Sequence, residues 1–142
     1  MKKFILLSAT LLLASPILHA GFSERKLNTA IASATKSGKL IAFVFYAEYA
    51  LPNCPTCVAE TDAANKALKS AIPRSEVVVI EIEEDDKDLD KLPSTVSANG
   101  TTPRIVFTDS QAEEVVTTVN GAPDREKAKE IKELIKEARA GA

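Results

Sequence analysis

"KLIAFVFYAEYALPNCPTC", residues 39–57, is the stretch that decides the fold. Leu40 to Tyr46 is a continuous apolar run rich in aromatic and branched residues. That is the pattern of a central strand buried on both faces. Pro52 and Asn53 make a turn, and Cys54 and Cys57 follow with Pro55 and Thr56 between them. From Pro55 onward the pattern is helical. Ala64, Ala67, Leu68, Ala71 and Ile72 fall on one stripe, and Pro73 marks its end. Pro55 suits the first turn of a helix, where its missing N–H costs nothing. Cys54 is therefore expected at, or just before, a helix N-terminus.

These two cysteines are the only ones in the chain. A disulfide across so small a loop is a poor staple, because the entropic gain of a cross-link grows with loop length. The spacing calls for a chemical explanation. A helix N-terminus stabilises negative charge through its unpaired N–H groups and its dipole. Cysteines in such positions reach pKa values of about 3.5–7.5. Cys54 would attack a partner disulfide, and Cys57, one helical turn later, would resolve the mixed disulfide. The nearest charges in sequence, Glu48 and Glu60, oppose a low pKa. A closed zinc site needs four Cys or His ligands. The chain offers one Cys pair and one histidine, His19, so neither a metal nor a cofactor is expected.

Outward from this centre the elements follow one another closely. Residues 22–37 read as a helix capped by Ser23, with Leu27, Ala30, Ile31 and Ala34 on one face and Gly38 at its end. "EVVVIEIEE" (76–84) is a second strand, with Val77 to Ile80 expected to be buried. The acid-rich segment 83–91 reads as a solvated surface, with Leu89, Leu92 and Val96 turned inward from a short helix around it. "RIVFTD" (104–109) and "EEVVTTV" (113–119) are strands too closely spaced for anything but an antiparallel hairpin. The last helix runs from about 123 to 139, with Ala128, Ile131, Leu134, Ile135 and Ala138 on its buried face. The order predicts an α/β fold, a mixed sheet of about four strands flanked by helices.

The chain has 142 residues, which suits one domain. Its start has the three parts of a secretory signal: Lys2 and Lys3, the apolar run Phe4 to Leu13, and "SPILHA" leading to Ala20. Residues 1–20 are read as that signal and residues 21–142 as the domain. This predicts a periplasmic or secreted protein with no stable membrane span once the leader is removed. Cleavage leaves 16 basic against 20 acidic residues, a net charge of −4. No basic stripe is present, which argues against nucleic acid as a partner.

Strand, motif and element order together resemble the thioredoxin superfamily over roughly residues 22–139. "FVFYAEY" (43–49) is similar to the strand leading into that family's redox centre, and "CPTC" to the centre itself. "TTPRIVF" (101–107) resembles the segment carrying a cis-proline, and "VNGAP" (119–123) the end of the last strand. The resemblance implies a thiol–disulfide oxidoreductase with Cys54 as nucleophile and Cys57 as resolving thiol. It makes Pro103 the cis-proline and Thr102 the residue offering backbone groups to an extended substrate. Pro55 and Thr56 would line the same contact. It implies cysteine-containing exported proteins and a redox-recycling partner, with the protein itself a monomer.

The departures bear on function. Ala50 to Asn53 are inserted between the strand and Cys54, so the rim is remodelled. The family's buried Asp and neighbouring Lys align with Val44 and Val79, leaving water or Glu48 to activate Cys57. No histidine lies in the motif to favour a strong oxidant. Two other readings stay open: a thioredoxin-like binding module with a closed structural disulfide, and a reductant dedicated to one exported partner. Slow exchange with small thiols would mark the former, and activity on one partner alone the latter.

Overall fold

The computed structural model describes residues 21–142; the leader assigned to residues 1–20 lies outside them. The apolar run becomes β1 (Leu40–Phe45), with every residue buried. β1 pairs in parallel with β2 (Val77–Ile82) on one side and antiparallel with β3 (Arg104–Thr108) on the other. β4 (Val115–Asn120) extends the sheet beyond β3, giving the order β2-β1-β3-β4. A mixed sheet with a parallel pair needs a crossover, and α2 (Pro55–Ser70) supplies it.

Alternation along the strands builds two cores. Ile41, Phe43 and Phe45 face α1 (Glu24–Ser37) and pack with Phe22, Leu27, Ala30, Ala34 and Val96. Leu40, Ala42 and Val44 face the other way, onto Leu68 of α2 and onto Ile131 and Ile135 of α3 (Arg125–Ala140). The expected helix ends are where the caps occur. The Ser23 hydroxyl accepts from the Lys26 N–H, and Gly38 closes α1 at φ +62°, where a side chain would be strained. Asp124 caps α3 in the same way as Ser23 caps α1. The Asp86 carboxylate accepts from the N–H groups of Phe22 and Glu83, both at 2.7 Å, and so pins the entry of α1 to the exit of β2.

Three expectations change. Val78 and Val79 are only half-buried, because β2 is an edge strand with one neighbour among the described residues. An open groove of about 780 Å³ runs beside it, between β2 and α1. Leu134 is 42% exposed, because α3 buries a narrower stripe around Ile131 and Ile135. The short helix in the acid-rich segment is a single 3-10 turn, Leu89–Lys91, whose Leu89 packs half-buried on the α1-side core.

Arg104 is the one long charged side chain buried among the described residues. Its guanidinium stacks on Phe45 at 3.9 Å from the ring centroid, and Nη2 donates to the Ser97 carbonyl. Nε is buried without a partner, and desolvation lowers the pKa of the group. A Cβ on Gly100 would overlap this guanidinium, which would have to shift to admit one. No helix among the described residues is long and apolar enough to cross a membrane.

Leu68 is the only fully buried residue of α2 and so the main anchor of that helix to the sheet. Leu68→Ala is expected to cost about 2–5 kcal/mol in denaturant unfolding, the range for a buried Leu truncated to leave a cavity. A loss under about 1 kcal/mol would show that α2 is docked by other contacts.

Candidate active site

α2 begins where Pro55 permits it. Cys54 is its N-cap, in extended conformation, and Pro55 occupies the first turn. Cys54 Sγ accepts the Cys57 N–H at 3.2 Å, so a sulfur fills the position that a Ser or Asp oxygen usually takes. The two cysteines form a disulfide with Cα atoms 5.2 Å apart, and both are half-buried. The first turn of α2 carries no acid, so the nearest acid on the helix, Glu60, lies more than one turn beyond its positive end at Cys54.

The remaining sequence-predicted residues collect at the same end of the sheet. Phe45 pairs with Arg104, which sets Pro103 beside the C-terminal end of β1, where loop 46–54 leaves for Cys54. The Thr102–Pro103 bond is cis. The Pro103 carbonyl accepts from the Gly121 N–H at 2.8 Å, tying the "VNGAP" segment to it. Thr102, Pro55 and Thr56 are exposed, and Pro103 is half-buried. Among the described residues neither the N–H nor the C=O of Thr102 makes a hydrogen bond, so both are open to a ligand.

Sequence reasoning missed the clamp that holds the loop before Cys54. Asn65, inside α2, donates to the Ala47 carbonyl at 2.9 Å and accepts from the Ala47 N–H at 2.8 Å. The Tyr49 hydroxyl donates to Asp62 at 2.5 Å. The Leu51 carbonyl accepts from the Cys54 N–H at 3.0 Å, closing a turn on the cysteine. An Asn in a helix interior is a weak helix former, and that was the available signal for a tertiary role.

The register places the two valines that stand for the family's charged pair. Val44 pairs with Glu81, whereas Val79 pairs with Ala42. Val44 is fully buried, while its strand neighbour Glu81 is exposed. The Tyr46 hydroxyl donates to Glu81 at 2.8 Å, and the Lys69 ammonium lies 4.8 Å from the Tyr46 ring centroid. Glu48, named beside water as a group that could activate Cys57, accepts from the Glu84 N–H at 3.3 Å.

No protein-family model matches the chain, and no curated protein matches it. Solved structures do. A chloroplastic thioredoxin z superimposes with TM-score 0.50 at 22% identity, over 85% of this chain and 94% of that one. A wild-type thioredoxin h from poplar does so with TM-score 0.54 at 18% identity, over 80% of this chain and 91% of that one. The fold is thioredoxin-like. The thioredoxin-like sheet, its crossover helix and the Cys pair at that helix's start coincide with the expected arrangement.

Tyr46 and Tyr49 are the only tyrosines, and the chain has no tryptophan. Both phenols are held above their ordinary pKa, Tyr46 by burial and then by its bond to Glu81, Tyr49 by its bond to Asp62. The folded chain thus holds these protons more tightly than the unfolded chain. That contribution to stability is complete below about pH 10 and is lost as pH rises through the folded pKa values. Phenolate absorbance should show both tyrosines ionising above about pH 10; either one titrating at or below that value would contradict these hydrogen bonds.

Proposed function

We propose that the protein is an exported thiol–disulfide oxidoreductase that exchanges the Cys54–Cys57 disulfide with cysteine-containing proteins. The observation that carries this reading is the position of the disulfide: Cys54 is itself the N-cap of α2. A thiolate at that sulfur keeps the Cys57 N–H and gains from the helix dipole, whereas a structural bridge would need neither.

The exchange balances simply. In the reduced protein the Cys54 thiolate attacks one sulfur of a partner disulfide. A Cys54–partner disulfide forms and the other partner sulfur leaves as thiolate. The Cys57 thiolate then attacks Cys54 Sγ, re-forming the internal disulfide and releasing the second partner thiolate. The partner gains two electrons and the protein loses two. Run backwards, the same steps oxidise a partner dithiol. A second dithiol or disulfide protein resets the pair in either direction.

Thr102 supports a peptide-like substrate, because its free N–H and C=O offer two hydrogen bonds to an extended chain laid across the disulfide. Export rests on the lysine-led apolar start of the sequence, and it places the protein in the periplasm or outside the cell, where such disulfides persist.

The purified protein should equilibrate with glutathione buffers, with both cysteines alkylated only on the reducing side. Cys54→Ser should abolish exchange with little loss of melting temperature, since so short a bridge adds little stability. Cys57→Ala should accumulate mixed disulfides through Cys54 in cell extracts. A wild-type bridge inert to glutathione would reduce the protein to a binding module.

A further inference from the structure

The run Tyr49–Thr56 lies at the surface in all but one position, Cys54, which is half-buried. It contains two of the four large hydrophobic side chains exposed among the described residues: Tyr49 at 49% and Leu51 at 61%. Ala50, Pro52 and Pro55 are exposed with them. Isolated surface leucines need no explanation, but a contiguous apolar run beside a reactive disulfide does.

This run is not slack chain. The Asn65 bonds to Ala47, the Tyr49 bond to Asp62 and the turn from Leu51 to Cys54 fix it at three points. The turn also keeps the Cα atoms of Leu51 and Cys54 within about 7 Å. Leu51 is therefore held in water, next to the sulfur that reacts, by bonds from its own loop and from α2.

Charge narrows what can cover it. Residues 46–65 contain Glu48, Glu60 and Asp62 and no Lys or Arg, and Glu48 and Glu60 are exposed. A second copy of this chain would set these acids against themselves, and an anionic membrane surface would be repelled in the same way. A partner with basic charge would be attracted.

We propose that loop 49–53 is the specificity surface of the redox site, selecting extended protein segments with an apolar and a basic residue flanking the reactive cysteine. Leu51 packs against the apolar side chain, and Glu48 and Glu60 supply the field that draws the basic one. This rests on the oxidoreductase reading and names its substrate class.

The test uses two short synthetic peptide disulfides, one with Leu and Arg beside each cysteine and one with Ser and Glu, and oxidised glutathione as reference. The reduced protein is expected to react at least about tenfold faster with the Leu/Arg peptide than with the Ser/Glu peptide, and raised salt should narrow the gap. Leu51→Ser should lower the ratio of the Leu/Arg peptide rate to the glutathione rate about tenfold. Glu48→Gln with Glu60→Gln should remove the salt dependence. Leu134→Ser, an exposed leucine on α3, should leave the ratio where it was. Equal rates on both peptides, or a ratio unmoved by Leu51→Ser, would overturn the assignment while leaving the redox reading intact. Self-association of the protein that Leu51→Ser abolishes would give the surface to a second copy and overturn it too. No reaction even with glutathione would end both readings.

Discussion

Everything at this site depends on where α2 starts. Pro55 has no N–H to donate and its fixed φ favours the first helical turn, so the residue before it becomes the cap. That residue is Cys54. Its sulfur therefore accepts a backbone N–H that the helix cannot satisfy internally. The same start sets Cys57 one turn later, close enough for the bridge. Shift the helix start by one residue and both the cap and the disulfide geometry are lost. The buried contact of Leu68 with the sheet and the Asn65 clamp on Ala47 hold that start in place from the far side of the helix.

The sheet does a second job at the same end. β1 is covered on both faces and paired on both edges, so its C-terminal end is a rigid platform. The antiparallel register with β3 then brings Pro103 and Thr102 to that platform, from a loop more than forty residues away in sequence. Gly121, at φ +75°, turns the chain after β4 and donates to the Pro103 carbonyl. The consequence is a division of labour in the Thr102–Pro103 backbone. The Pro103 carbonyl is taken up by the fold, and the Thr102 N–H and C=O have no hydrogen-bond partner among the described residues.

Most of the fold was legible because its signals are local. Ser23, Gly38, Pro55 and Asp124 act within a turn of themselves, and the short all-apolar stretch 40–45, rich in aromatic and branched residues, has the pattern of a central strand. What escaped was set by pairing between distant segments. Nothing in "VVVIEI" says that β2 has one neighbour, so the half-exposure of Val78 and Val79 had no sequence signal. The pairing of Val44 with Glu81 likewise depends on a register that could slip by two residues without changing which side chains face the core. Leu134 satisfies the helical stripe but is 42% exposed, because α3 buries only a narrow stripe around Ile131 and Ile135. The cysteine pair and the residues around Pro103 were readable as a site; the clamp built by Asn65 and Asp62 was not.

That clamp bears on how one fold separates chemistry from selection. On the function proposed above, the reactivity of Cys54 would come from backbone: a helix end, a cap and a dipole, none of which depends on which side chains occupy loop 49–53. The loop can therefore vary without disturbing the sulfur, provided it is held. An unheld insertion of apolar residues would collapse onto the nearest core or expose a disordered patch, and the ordering entropy would oppose each encounter with a partner. Asn65 and Asp62 avoid both outcomes by fixing Ala47 and Tyr49 to the same helix that carries the disulfide. On the function proposed above, selection and reactivity would ride on one helix, and a partner that fits Leu51 would already be aligned with Cys54.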